Sequence, residues 1–407
     1  MSAKTTIEFD PTAPDQQENP FDVLDLARNE QPVFHAPRFD LWVVTRYHDV
    51  LTVLKDHRSF SSLGALKSSP APYPPEVQSV LRDGFPDMPY IIEVDPPLHD
   101  RIRGLVTKAF TPRRIAELAP RIEEICIELL DELAPAGGAD IIHRFAWPLP
   151  LRVLGELFGV PRDDLERLHH WAQDWMLVQQ ELPLERRLEH ARGSVALQRY
   201  FVAKIEERID RPSDDLMGAL VAAREEIDPP LSVVEIAGLP LDLMVAGHVT
   251  VTRAIGNTLN RMFSYPRLRD HLLDADVAPK AIEEILRLES PAQGLFRITT
   301  REVEVGGTTL PEGARVMVHF ASANRDDCVF ARAAEYDPHR DDVSKHVAFG
   351  KGIHFCIGAP LARLELEISL PMLLRRLPGL RPGPVGGERE ELFFARGFRT
   401  LPVRWDA

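Results

Sequence analysis

Apolar residues recur at three- and four-residue spacing along most of this chain, the signature of amphipathic helices. Between Arg113 and Leu133 they fall at Ile115, Leu118, Ile122, Ile125, Leu129 and Leu133, which predicts one long helix. Leu149 to Phe158, Asp163 to Gln179, Glu185 to Ile209 and Ala281 to Glu289 read the same way. The longest pattern opens at Ser232, with Glu235 three residues on as a capping box, and stops at Ser264 before Tyr265-Pro266. At 1.5 Å per residue it spans about 50 Å. Pro240 lies inside it and is expected to kink it or open a hydrogen bond. A last helix is expected from Gly358 to Leu377, with Pro360 in its first turn.

Period-two alternation is rarer. Leu41 to Thr45 and Arg315 to Phe320 read as strands, and Glu302 to Val305, Gly306-Gly307 and Thr308 to Leu310 as a hairpin. The pattern therefore predicts a mainly α protein with small β-sheets at its edge. The 35 prolines are scattered and the one dense stretch, Ser68 to Pro75, looks like a loop. With no visible linker, residues 21–407 are expected to form a single domain behind a flexible N-terminal segment, residues 1–20.

Composition changes this picture little. The chain has 407 residues and is 44% hydrophobic, enough for a large core. A net charge of −14 argues against nucleic acid or an acidic membrane surface as a partner. Cys126, Cys328 and Cys356 are widely spaced and do not suggest a disulfide framework, which fits a reducing cytoplasm. No window reaches the roughly 18 uninterrupted apolar residues of a membrane span, so a soluble cytoplasmic protein is expected, with monomer as the default state.

Chemistry concentrates at Cys356, inside Phe349-Gly350-Lys351-Gly352-Ile353-His354-Phe355-Cys356-Ile357-Gly358. Glycines let backbone N–H groups approach an anionic sulfur, and the positive end of the following helix favours a thiolate. A lone cysteine is ordinarily a buried core residue, but this run fills every specified position of F-G-x-G-x-H-x-C-x-G. It resembles the haem-thiolate loop of the cytochrome P-450 family, and the likeness extends from about Pro20 to the C-terminus. The resemblance implies the P-450 fold, a single triangular-prism-like domain, with haem b as cofactor and Cys356 as its axial iron ligand. A thiolate pushes electron density onto haem iron and favours O–O cleavage. Phe349, His354 and Gly358 would shape the loop around the cofactor.

Other motifs gain meaning from that resemblance. Glu284 and Arg287 form E-x-x-R on a helix face, ordinarily a solvated ion pair. Placed about seventy residues before Cys356, they match the family's network that an Arg such as Arg340 completes. The three are expected to be structural, as is His346. The run Asp95-Pro96-Pro97-Leu98-His99-Asp100-Arg101-Ile102-Arg103 resembles D-P-P-x-H-x-x-x-R. It implies that His99 and Arg103, with Arg297 and His354, hold the haem propionates, which need cationic partners when buried.

On the long helix, Ala246-Gly247-His248-Val249-Thr250-Val251-Thr252 resembles the family's A-G-x-[DE]-T-T. Ala246 and Gly247 are small, as a helix passing over a porphyrin requires. Thr250 matches the threonine whose hydroxyl helps deliver protons during oxygen activation. Val249 departs from the pattern, since it stands where a carboxylate usually relays protons. Water or His248 would then substitute in an ordinary monooxygenase. Alternatively the enzyme would run on peroxide, or reduce a small oxide such as nitric oxide. The Arg-Pro pair of peroxide-using relatives is absent. A haem-binding sensor without turnover is a third, remote reading.

By resemblance, the substrate pocket would be apolar and use Met88, Leu243, Ala246, Leu295, Phe296 and Phe394, while Phe85 and Phe393 read as ordinary core. Three scattered cysteines cannot hold an iron–sulfur cluster, so electrons are expected from NAD(P)H through a ferredoxin reductase and a small acidic ferredoxin. Arg101, Lys108, Arg113, Arg114 and Lys351 would form its basic docking patch.

Overall fold

A computed structural model describes residues 7–67, 72–390 and 392–406. Residues 1–6 of the N-terminal segment and 68–71 of the proline-dense stretch lie outside the described residues. Helices dominate and the sheets are small.

Most of the expected helices are present: Pro148–Phe158, Leu165–Leu177, Leu184–Asp210, Val233–Ser264, Ala278–Leu288 and Ala359–Arg376. The expected helix from Arg113 to Leu133 is instead two, Pro112–Ala116 and Ala119–Leu133. Pro120 explains the break, because its ring excludes the carbonyl four residues back and is tolerated only in a first turn. The helix Val233–Ser264 begins on the expected capping box. Ser232 N–H donates to Glu235 at 2.7 Å, and Glu235 N–H donates to the Ser232 hydroxyl at 3.2 Å. It stays helical through Pro240. By length and composition alone it could cross a membrane, but 56% of its most apolar window is buried inside the protein.

The chain's contacts group into two compact units, each assembled from separate stretches of sequence. No single cut separates them, which is why the sequence shows no linker. The first comprises residues 1–65, 126–146 and 250–407. Its five-stranded sheet runs in the order Val33–Ala36, Leu41–Val44, Arg315–Val318, Leu295–Thr299, Phe60–Ser61, with one parallel pairing between Leu41–Val44 and Arg315–Val318. Val33, Val44, Phe60, Val316 and Val318 from the sheet bury against Val50, Val53 and Leu54 of the helix Tyr47–Lys55. Each such side chain contributes about 1.5–3 kcal/mol. This core continues through Phe320 and Phe330 to Val347, two residues before Phe349.

The expected hairpin pairs Val303–Val305 with Thr308–Leu310, with Gly306 and Gly307 at φ 56° and 76°. Only glycine adopts that pair of conformations without strain. The strand expected from Arg315 to Phe320 ends at Val318, because His319 accepts a hydrogen bond from Ser322 N–H and starts a short helix at Phe320. Part of the segment expected to be flexible is tied down: Pro14–Glu18 is helical, and Arg396 donates to the carbonyls of Gln17 and Glu18.

The second unit comprises residues 66–125 and 147–249. Its helices Leu165–Leu177 and Leu184–Asp210 pack closely at Gly193, where a Cβ would lie 1.8 Å from an Asp174 oxygen. Gln198 of the longer helix pins the segment 84–90. Its amide accepts from Phe85 N–H at 2.9 Å and donates to the Tyr90 hydroxyl at 2.7 Å.

Candidate functional site

In the first unit, the loop around Cys356 is a tight, pre-shaped turn. Cys356 N–H donates to Phe349 C=O and Gly350 N–H to Val347 C=O, both at 2.9 Å. Gly350 and Gly352 sit at φ 69° and 75°. A Cβ on Gly352 would stand 2.2 Å from the Leu54 carbonyl, so the loop can seat itself there only with glycine. Gly358 caps the 18-residue helix Ala359–Arg376, and a Cβ on it would lie 3.9 Å from the Cys356 sulfur. The sulfur therefore sits near a helix N-terminus, where a negative charge is favoured by about 0.3–1 kcal/mol or more.

Charged pairs brace this loop from outside. Glu284, Arg287 and Arg340 are all buried. Arg287 makes a two-pronged contact with Glu284 at 2.8 Å on both oxygens, and Arg340 Nε donates to Glu284 at 2.9 Å. Arg287 also donates to the carbonyls of Asn324 and Ala333. Asn324 in turn accepts from Val347 N–H at 2.7 Å, which carries the network to the start of the loop. The expected trio is thus hydrogen-bonded together.

A second brace escaped the sequence reading. Arg363 grips Glu283 at 2.7 and 2.8 Å, and His346 meets the same carboxylate at 3.0 Å. Burial alone would raise the Glu283 carboxyl, but the bonds to Arg363 and His346 outweigh it and hold it down at about 2. The Arg363 guanidinium lies 4.5 Å over the Phe349 ring. Its own pKa is pushed up by the Glu283 hydrogen bond, against burial, with Glu283 and then Cys356 adding to the rise. The sulfur is thus within electrostatic reach of a fixed cation.

Two further expected residues lie in this unit. Arg297 is buried on the strand Leu295–Thr299 and donates to Phe296 C=O at 2.7 Å. His354 meets the Ser62 hydroxyl at 2.8 Å. Phe296 does not behave as a pocket wall. It is fully buried beside Phe393, 5.7 Å between centroids, and under the Arg315 guanidinium. Leu295 is half-buried, and Phe394 is buried at the edge.

In the second unit, His99 is buried on the helix Leu98–Ala109 and meets Asp100 at 2.9 Å, with Arg103 half-exposed one turn on. Met88 is buried against Gly238 of the long helix, so it too is core rather than open wall. Four expected docking cations of this unit already have partners. Lys108 pairs with Glu226 at 2.5 Å and Arg113 with Glu117 at 2.9 Å. Arg101 donates to Pro229 C=O and Arg114 to Asp214 C=O. In the first unit, Lys351 lies 5.7 Å over the Phe355 ring.

The long helix is buried on most sides around its middle, yet Leu243, Ala246, Gly247 and Thr250 remain open. Their i, i+3, i+4, i+7 spacing makes one stripe, apolar and small except for the Thr250 hydroxyl. Val249 is half-buried beside it. His248 points away, buried among Trp147 and His169 at 5.9 and 5.0 Å between rings. The one charge in the run from Ile236 to Thr252 is Asp242, which is buried and accepts Ile91 N–H at 2.5 Å. Burial pushes its carboxyl well up, the Ile91 hydrogen bond pulls the other way, and nearby Glu93 adds to the rise.

These residues fit a haem. A soft sulfur at a helix N-terminus suits an axial iron ligand, and His99, Arg103, Arg297 and His354 are the donor types that two propionates require. The open stripe is the small apolar surface a flat macrocycle would cover. Among the described residues, no group of three or more His, Cys, Asp or Glu is placed to hold a separate metal ion.

Fold and site together define a haem-thiolate oxygenase class. The cytochrome P450 family model matches residues 182–378. Cytochrome P450 107B1 of Saccharopolyspora erythraea is 40% identical over 375 residues, 90% of this chain and 89% of its own. Mycinamicin IV hydroxylase/epoxidase of Micromonospora griseorubida is 38% identical over 372 residues, 90% of each chain. The solved structure of CYP109Q5 from Chondromyces apiculatus superposes with a TM-score of 0.87 at 36% identity, covering 98% of both chains. The chain belongs to the cytochrome P450 family of bacterial haem-thiolate monooxygenases.

Proposed function

We propose that this monooxygenase inserts one oxygen atom from dioxygen into an apolar small organic molecule, with Cys356 as the axial thiolate. The cysteine loop carries the reading: its glycines, its helix N-terminus and its two charged braces all serve to fix one sulfur. Residues 21–407 act as one haem domain in the cytoplasm, as a monomer. His99, Arg103, Arg297 and His354 hold the propionates, and Phe349 and Gly358 line the sulfur side.

Bound there, haem supplies the activation of dioxygen. Ala246 and Gly247 keep this stretch of the helix small, and the apolar stripe would exclude stray water. Thr250 holds a proton at its Oγ, which it accepts from and returns to water. Val249 carries no proton, so water serves in place of the usual acid. Electrons arrive from NAD(P)H through a ferredoxin reductase and a ferredoxin. Because Lys108 and Arg113 are already paired, Lys351 is the docking cation on which the ferredoxin reading chiefly rests. Reversing its charge should raise the apparent KM for ferredoxin and leave peroxide-driven turnover unchanged.

The substrate class is tested by a spin-state titration of the holoenzyme against fatty acids, terpenes, steroids, aromatic acids and macrolides. A blue-shifted Soret band with one class identifies the pocket's chemistry. No shift across the panel, with turnover on peroxide alone or reduction of a small oxide, would favour the second reading. Val249 is the observation behind that reading.

A further inference from the structure

Asp242 is out of place in a helix segment whose other residues from Ile236 to Val249 are apolar or small, save His248. It is only 7% exposed. Oδ2 takes the Ile91 N–H, and no other described group bonds the carboxyl. Oδ1 is not sealed away like the buried polar atoms that lack partners elsewhere in the molecule. Among the described residues this carboxyl has one oxygen bonded to the backbone and nothing bonded to the other, so its hydrogen bonding is incomplete.

Its position says what it faces. On a helix of 3.6 residues per turn, residues 242, 246 and 249 share one row, so Asp242 flanks the open stripe one turn before Ala246. The segment it bonds, around Ile91, is the one that Gln198 pins through Phe85 and Tyr90. Asp242 therefore sits in the second unit one helical turn from Ala246, on a segment held by hydrogen bonds.

Resting on the oxygenase reading, we propose that Asp242 is a specificity-determining residue whose free Oδ1 donates a hydrogen bond to a neutral oxygen acceptor on the substrate, a ketone or lactone carbonyl. The choice of a neutral acceptor follows from the surroundings. Ionising Asp242 would place a negative charge near Glu93, whose own carboxyl is raised by burial, against hydrogen bonding from Leu66 N–H and the charge of Lys67. Tyr90, the other titratable group of this wall, is pushed up to about 12 by burial and stays neutral. The protonated acid keeps Ile91 N–H on one oxygen and offers an O–H on the other.

The test compares cyclododecanone, cyclododecane and N,N-dimethylcyclododecylamine as spin-state ligands of the holoenzyme. One hydrogen bond should favour the ketone over the hydrocarbon by roughly three- to tenfold. Asp242→Asn keeps an N–H donor and should retain that preference, whereas Asp242→Leu should abolish it. Equal binding of ketone and hydrocarbon by the wild type, retention of the preference in Asp242→Leu, or preference for the amine would each overturn the proposal. A second arm needs neither ligand nor turnover: the infrared difference between wild type and Asp242→Asn should contain the C=O band of a protonated carboxyl. Absence of that band overturns the proposal whatever the ligands do. Failure of the oxygenase reading would appear separately, as a ferrous–carbonyl spectrum lacking the thiolate band.

Discussion

The cysteine loop and the middle of the long helix solve opposite problems. Around Cys356, charge is met by charge: Glu284 with Arg287 and Arg340, Glu283 with Arg363 and His346. Around Ala246 and Thr250 the helix offers small apolar surface, one hydroxyl and one lone acid. The first region must hold a single sulfur in one place, so it is over-determined. The second carries few polar groups on an apolar surface, as a site that admits a molecule and keeps water out would require. Buried ion pairs fix geometry better than they stabilise, which suits the first task and would spoil the second.

The largest break in this contrast should come from Arg287→Ala, which strands a buried Glu284 carboxylate. It should cost about 3–5 kcal/mol in urea unfolding and release haem on dilution. Gly352→Ala comes next. A left-handed residue with a Cβ against the Leu54 carbonyl costs about 1–3 kcal/mol. The ferrous–carbonyl band should shift part-way to the form lacking thiolate, because the strain falls on the loop. A wild-type spectrum in that variant would mean the loop is looser than its hydrogen bonds imply.

The Glu283 brace has a pH signature. Its folded carboxyl sits at about 2 against an ordinary 4.5. It therefore stabilises the fold above about pH 4.5 and loses that contribution as pH falls towards 2. Glu283→Gln should melt below wild type at pH 7, and the gap should narrow through that acid window. A gap independent of pH would show that shape rather than charge holds Arg363. The smallest effect belongs to the long helix: Ser232→Ala removes half of the capping box and should cost about 1 kcal/mol, with the carbonyl spectrum unchanged.

Much of this contrast was legible in the sequence because local chemistry dictates it. Cys356 and its glycines are adjacent, so spacing alone marked the loop, and Ser232 with Glu235 marked the helix start. The Glu284–Arg287 pair was visible at i, i+3, but its burial depends on Asn324, Ala333 and Arg340, far away in the chain. Glu283 was hidden beside it, since its partners Arg363 and His346 lie 80 and 63 residues away. Phe296 read as pocket because its neighbours do, yet the alternation of its strand turns it into the core against Phe393. Helix periodicity carried across Leu118 because apolar spacing continued, although Pro120 had already required a new start. Asp242 could have been noticed as the sole charge in an apolar run.

The proposed haem site depends on Cys356 as its thiolate. The most direct measurement is the ferrous–carbonyl spectrum of wild type and Cys356→Ser, purified and loaded with haem in parallel. The wild type should show the red-shifted thiolate band, and the variant should lose it completely. Persistence of that band in Cys356→Ser would contradict the assignment.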